Sequence, residues 1–581
     1  MTPSGRISRR RFLGGMGAGL FLAGLQTAFP LPLWARTNRW GLEGLPPAQK
    51  RYDLAIDYYP LVIDGREGLS TGINGTVPGP LVRLREGDDV VLNVTNAMLD
   101  TEHSSIHWHG VLVPFPMDGV PGVNYAGIRP GETYQYRYRV KQAGTYWYHS
   151  HSFLQEQSGT YGPLIIDPKD GEPFSFDRDY VVVLSDWSFE KPETIFRHIN
   201  LLSHYYNYQR RTVGDFFADI NKEGFAETLK ERLAWGGMRM SPVDLLGVTG
   251  AAYTYLMNGN SPDMNWTALF KPGETVRLRF INASAMTNFD VRIPDLDMEV
   301  VMADGKAVKP VSIHEFRIGV AETYDVLVRP GGDRPFTLFA EALDRSGYAR
   351  GTLAPEPGLE APVPPLRPRP VRNLKDIGMG MMLGMDRSSA AGKASTPDQD
   401  QRIPGPNGPA PFLPDRKTAA NVAMIVRHPR YRLDEPGIGL GNDGWRVLTY
   451  QDLVSDEPQV YPESPEREMT VNITANMERY MFSFDGMKFT EQPGPYLFRH
   501  NERLRLFLVN HTMMEHPIHL HGMWMQLENG AEELPYKHTI LVKPGEALSA
   551  LITPIEKGDW AFHCHLLYHM EAGMFQVVRV A

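Results

Sequence analysis

The sequence predicts an all-β protein of three related β-sandwich domains, with a partly helical insertion and a long Pro- and Met-rich linker. Three observations carry this expectation. Short alternating runs separated by Pro/Gly turns recur along the chain, as in sandwich strands. A turn, an alternating strand and a closing Asn occur three times, at Glu86 to Asn96, Pro272 to Asn282 and Arg499 to Asn510. These copies are a domain apart, far beyond the roughly 20–50 residues of a solenoid repeat. A chain of 581 residues is also too long for one ordinary domain, and its 42% apolar content can fill several cores.

Residues 1–35 read as an export signal. Ser8-Arg9-Arg10-Arg11-Phe12-Leu13 precedes a mildly apolar run from Gly14 to Phe29, the pattern of a twin-arginine address. The run is too short and too glycine-rich for a membrane span. Cleavage is expected near Ala35, which removes four arginines and no acid and takes the formal net charge from -9 to -13. This charge disfavours a general nucleic-acid binder. The expected location is the periplasm, with the export machinery as a partner and no stable membrane span in the mature form.

Residues 50–170 form the first expected sandwich. Tyr52 to Ile63, Leu81 to Leu84, Val90 to Val94, Thr133 to Val140 and Gly162 to Ile166 are its candidate strands. The second domain is expected over 178–350, with the aromatic and charged stretch at about 192–233 as the insertion. Residues 351–418 read as a linker, rich in proline and without clear period. The third domain is expected over 419–581. Met379, Met381, Met382 and Met385 lie in the linker between glycines. They suit either an apolar grip on the next domain or a soft thioether site for Cu(I).

The chemistry concentrates in four clusters: His107/His109, His149/His151, His516/His519/His521, and His563-Cys564-His565 with His569 and Met574. Cys564 is the only cysteine in the chain, so no internal disulfide can form. In a strand, Cys564 points one way and His563 and His565 the other, so one strand could feed two metal sites. Each H-x-H spacing likewise puts two imidazoles on one face. The first and last domains must meet for the four clusters to converge. Imidazole suits zinc or copper, but a Cys-His-Met set beside a histidine cage favours copper.

These motifs, His107-Trp108-His109-Gly110, Trp147-Tyr148-His149-Ser150-His151, His516-Pro517-Ile518-His519-Leu520-His521 and His563 to Met574, resemble those of the multicopper oxidases. The resemblance covers essentially all of the mature chain and is closest to the periplasmic copper-resistance oxidases, laccase-like proteins of three domains. It implies three cupredoxin-like Greek-key domains and four copper ions. His516, Cys564 and His569, with Met574 as weak axial ligand, would hold a type 1 copper. His107 and His519 would hold a type 2 copper. His109, His149, His151, His521, His563 and His565 would hold a type 3 pair. Cys564 would carry electrons, and Asp118 is the proton-relay candidate. The implied reaction oxidises Cu(I) and reduces O2 to water, with periplasmic copper-handling proteins as further partners. A laccase-like oxidase of phenols is the alternative, and a non-catalytic copper-binding protein a more distant one.

Export is the first testable expectation. Changing Arg9 and Arg10 together to lysine should leave the protein in the cytoplasm, as cell fractionation would show. Normal periplasmic levels of that variant would reject the twin-arginine reading.

Overall fold

The computed structural model describes residues 46–379, 408–415, 418–459, 461 and 464–581. The expected signal at 1–35 and the calls on Met381, Met382 and Met385 lie outside these residues. Three two-sheet units follow one another. The first pairs two four-stranded sheets, and the second and third each pair a six-stranded with a five-stranded sheet. Leu54, Ile56, Leu92 and Val94 from one sheet of the first unit share a core with Val82, Leu84, Leu164 and Ile166 from the other. A second, larger core runs through the middle and last units.

The sheets are mixed, and the threefold repeat explains how. Arg51–Ile63 runs parallel to Asp89–Asn96, Arg178–Trp187 to Val276–Asn282, and Arg467–Asn476 to Leu504–Asn510. In each unit the repeated strand therefore sits beside the unit's opening strand. The closing Asn has the same duty each time. Asn96 Nδ2 donates to the carbonyls of Glu102 and Ile128, both at 2.9 Å. Asn282 Nδ2 donates to Thr287 at 2.8 Å and Ile318 at 3.1 Å. Asn510 Nδ2 donates to Met514 at 2.8 Å and Val542 at 3.0 Å. Each Oδ1 also accepts the amide two residues on, from Met98, Ser284 and Thr512. All three asparagines are buried. A buried backbone group must find a partner, and here a side chain closes a loop that the ladder leaves open.

The insertion is helical, with helices Pro192–Leu201, Val213–Glu223 and Phe225–Met238. Thr212 and Asp215 form a capping box at the start of the second. Gly224, at φ 87°, breaks the second helix from the third. His198 is satisfied by Tyr206 at 2.9 Å and Glu190 at 3.0 Å, so it is a structural histidine. Residues 361–370 form no helix or strand, as their proline content implies. The third domain approaches the first, which sets the metal-binding motifs face to face.

Asn282→Ala should take the side-chain donor from two buried carbonyls and the acceptor from the Ser284 amide. We expect a loss of about 2–4 kcal/mol, on the scale of roughly 1–3 kcal/mol for each unsatisfied buried group. Chemical unfolding of the metal-free protein would measure it; an unchanged midpoint would show that the Asn bonds are not needed.

Candidate metal centres between the first and last domains

Two strand pairs build the site. His107–His109 pairs antiparallel with Gly144–His149, setting His107 opposite His149 and His109 opposite Trp147. His516–Leu520 pairs antiparallel with Gly558–Cys564, setting Ile518 opposite Cys564 and His519 opposite His563. Side chains on a strand alternate faces. His519 and His521 therefore share one face with His563 and His565, while His516 points to the face of Cys564. The odd spacing from His516 to His519 sorts three histidines between two sites.

On the Cys564 face, three donor atoms form a triangle. Cys564 Sγ lies 3.4 Å from His516 Nδ1 and 4.0 Å from His569 Nδ1, and the two nitrogens are 3.3 Å apart. Thr512 Oγ1, 2.8 Å from His516 Nε2, orients that ring from behind. Phe482 stacks on His569 with centroids 3.7 Å apart. His569 lies on the short helix Leu567–Glu571, which follows the cysteine strand directly. The buried Met574 is tied to both neighbours by its backbone: Cys564 N donates to its carbonyl, and its amide donates to His569 O.

On the other face, the structure groups His107, His109 and His519; His109, His149 and His565; and His151, His521 and His563. His521 Nε2 is 3.0 Å from His563 Nε2, and His565 Nε2 is 3.3 Å from His149 Nε2. Nitrogens this close cannot all carry protons. The Nε2 atoms of His107, His151 and His519 are buried and have no hydrogen-bond partner among the described residues. Orphaned imidazole nitrogens, those of His107 and His519 in one group and that of His151 in another, fit bound transition metals. The thiolate–imidazole triangle fits copper in particular.

Electrostatics keeps the ligands ready. Burial, aided by the neighbouring rings, holds His109, His149, His151, His519, His521 and His565 well below the usual imidazole range. Burial lowers His516 and His563 to about 3. These rings are neutral, as metal ligation requires. Burial also pushes the Cys564 thiol and the Glu156 carboxyl up, and a bound cation would reverse both by favouring their anions.

Asp118 is buried between two of these groups. Its Oδ2 lies 3.0 Å from His521 Nδ1, its Oδ1 3.4 Å from His107 Nδ1, and its backbone carbonyl accepts from His107 Nδ1 at 2.7 Å. The Asp-Gly turn and the carboxylate are thus one device, because Gly119 at φ 90° passes against the Ile106 carbonyl. Met379 is half-buried and packs on the large core. His314 of the middle domain is exposed and lies 3.5 Å from Asp297.

Two neighbours, Glu156 and His538, escaped sequence reading. Glu156 lies 2.7 Å from His149 Nδ1. The His538 carbonyl accepts from His519 Nδ1 at 2.6 Å, and His538 Nδ1 lies 3.2 Å from His109 Nε2. Neither has a motif spacing. Only the pairing of His519 with Thr539 hints that residue 538 must border the cluster.

Comparison with known proteins agrees with this geometry. Family models described as multicopper oxidase match residues 56–171, 178–356 and 462–581. The chain belongs to the multicopper oxidase family and is a copper-dependent oxidoreductase with several copper-binding sites. Within the family it is closely related to copper-resistance proteins. It is 47% identical over 595 residues to the copper resistance protein A homolog of Pseudomonas syringae pv. tomato, with 99% of each chain covered. It is 46% identical over 611 residues to copper resistance protein A of Escherichia coli, again with 99% of each covered. The fold is similar to that of Fet3p, a multicopper oxidase that functions in iron import, with a TM-score of 0.62 and 18% identity over 91% of this chain and 90% of that one. It is also similar to that of the laccase from Botrytis aclada, at TM-score 0.59 and 19% identity, over 92% and 88% of the two chains.

Gly119→Ala tests the Asp118 turn. The added Cβ would collide with the Ile106 carbonyl in a backbone conformation that alanine disfavours. We expect several kcal/mol of destabilisation and weaker copper retention during dialysis against a chelator. Gly131→Ala, at φ 77° with nothing near its Cβ, is the control and should cost only about 1 kcal/mol. Equal behaviour of the two variants would remove the collision argument.

Proposed function

We propose that the protein is a periplasmic cuprous oxidase of copper resistance. Four Cu(I) ions each give one electron, four protons are taken up, and one O2 becomes two waters. The observation that carries this reading is the direct continuity of Cys564 with His563 and His565, which face the other cluster. Its standing beside relatives named for copper resistance supports the choice of donor.

Bound copper would supply one-electron redox chemistry and a place for O2 to bind. His516, Cys564 and His569, with Met574 as a weaker thioether ligand, would hold the type 1 ion. His107 and His519 would hold the type 2 ion. His109, His149 and His565 would hold one member of the type 3 pair, and His151, His521 and His563 the other. The residues' own duties follow from their surroundings. Thr512 and Phe482 fix the rings of His516 and His569, so the sulfur and both nitrogens meet without rearrangement. The peptide link from Cys564 to either neighbouring histidine is the shortest bonded path for an electron between the sites. Asp118 would hold a proton at its carboxylate oxygens, beside His107 and His521, and release it toward the forming water. Met379, Met381, Met382 and Met385 would present thioethers to incoming Cu(I), which soft sulfur prefers over harder divalent ions.

Oxygen uptake decides the donor. With chelator-buffered Cu(I), the wild type should turn over efficiently, and Cys564→Ser should lose both uptake and the blue absorption. Replacing the four methionines by leucine keeps apolar bulk and should preserve the blue colour while raising the apparent KM for Cu(I) several-fold, about 1 kcal/mol of binding. Unchanged Cu(I) kinetics would remove the methionines from the mechanism. Phenol turnover with negligible Cu(I) turnover would make the enzyme laccase-like, and a content of one copper per chain would reject the four-copper assignment.

A further inference from the structure

Glu156 stands out among buried groups that the family motifs leave without a role. It is 3% exposed and carries a carboxylate. Its Oε2 lies 2.7 Å from His149 Nδ1, and its Oε1 lies 4.0 Å from His565 Nδ1. These are the two rings whose Nε2 atoms face each other at 3.3 Å. Oε1 has no hydrogen-bond partner among the described residues. One carboxylate therefore lies behind both rings of one candidate metal-binding group, on the side opposite their facing Nε2 atoms.

The flanking residues hold it there. Gln155 Oε1 accepts from Ser104 Oγ at 2.7 Å and Ser150 Oγ at 2.9 Å, and its Nε2 donates to the His103 carbonyl at 2.8 Å. Gln157 Nε2 donates to the Asp186 carbonyl at 2.9 Å, and its Oε1 accepts from Tyr253 Oη at 2.6 Å. Gln155 thus bolts the loop to the first domain and Gln157 bolts it to the second. Between two fixed neighbours, the Glu156 side chain has little freedom to leave the histidines.

Other rings of the cluster are braced differently. His519 Nδ1 faces the His538 carbonyl at 2.6 Å and His563 Nδ1 the Cys564 carbonyl at 3.0 Å, both neutral acceptors. His149 Nδ1 has a carbonyl too, that of Ser150, but at a longer 3.1 Å than Glu156. An anionic acceptor on the far nitrogen fixes the tautomer, aims the Nε2 lone pair and raises its basicity more than a carbonyl does.

We infer that Glu156 is a positioning residue for the copper held by His149 and His565, with one carboxylate oxygen accepting from His149 Nδ1 and the other lying 4.0 Å behind His565 Nδ1, so that both Nε2 atoms are turned toward one ion. The inference rests on the copper assignment proposed above. Asp118 spans His107 and His521 from two different groups. Glu156 instead serves two rings of one group, so its loss should unbalance the type 3 pair.

The test uses the full chain with Glu156→Ala and Glu156→Gln. Copper affinity is read by chelator competition, and pairing by electron paramagnetic resonance of the oxidised protein. The wild type should hold an electronically coupled, silent pair. Glu156→Ala should weaken binding of one pair copper by about 10- to 100-fold, unmask an uncoupled signal, and leave the Cys564 blue band in place. Glu156→Gln keeps one carbonyl acceptor and should fall between the two. If Glu156→Ala fails to fold, the glutamine variant decides alone: weaker binding than wild type supports the role. Wild-type affinity and a silent pair in every folded variant would overturn it. A wild type without a coupled pair would fail the copper assignment instead.

Discussion

The metal region depends on the two-residue period of two adjacent strands. Ile518 lies opposite Cys564 and His519 opposite His563. That register puts a thiolate centre on one face of a sheet and an imidazole cluster on the other, joined by one peptide step. A slip of one residue would exchange the faces and place Cys564 among the histidines. Buried apolar neighbours oppose such a slip. Ile518, Leu520 and Phe562 all lie in the core, and each would have to change sides.

None of the metal-binding groups found among the described residues draws a side chain from the middle domain, yet that domain positions several of them. Its Asp304 accepts from the backbone amides of His538 and Thr539, both at 3.1 Å, and pairs with Lys537 at 3.1 Å. Lys537 also reaches Glu322 at 2.7 Å. The segment held this way offers the His538 carbonyl to His519. On the other side of the sheet, Arg317 bridges Asp290 at 2.8 Å and Glu515 at 3.0 Å, and Glu515 directly precedes His516. Buried ion pairs contribute little net stability but are costly to break. Here they fix the register of two ligand-bearing segments against a domain that could otherwise slide.

Burial gives the two sites their common character. It keeps the imidazoles neutral and excludes water, so ligands are aimed before any ion arrives. The same dryness makes carboxylates in this space selective in position. Asp118 and Glu156 are both tolerated because each lies against imidazole nitrogens. A buried carboxyl group without such partners would destabilise the domain contact.

Much of this was legible in the sequence because periodicity and spacing are local. The alternating runs mark the strands, the recurring Asn marks three units, and the H-x-H pairs mark shared faces. The lone Cys564 between histidines marks a strand with two chemistries. Other features needed the tertiary structure, because they join residues far apart in sequence with no spacing rule between them. The Asn bonds that close three loops, the mixed sheets, and the His538 carbonyl under His519 belong to that group. So does Glu156, which has no motif spacing to the histidines and lies behind two imidazoles. The sequence by itself determined which residues can bind metal and which face of a strand each occupies, since both follow from chemistry and a period of two. Which residues stand behind those ligands was decided only when three domains packed, since packing alone determines what a buried nitrogen meets.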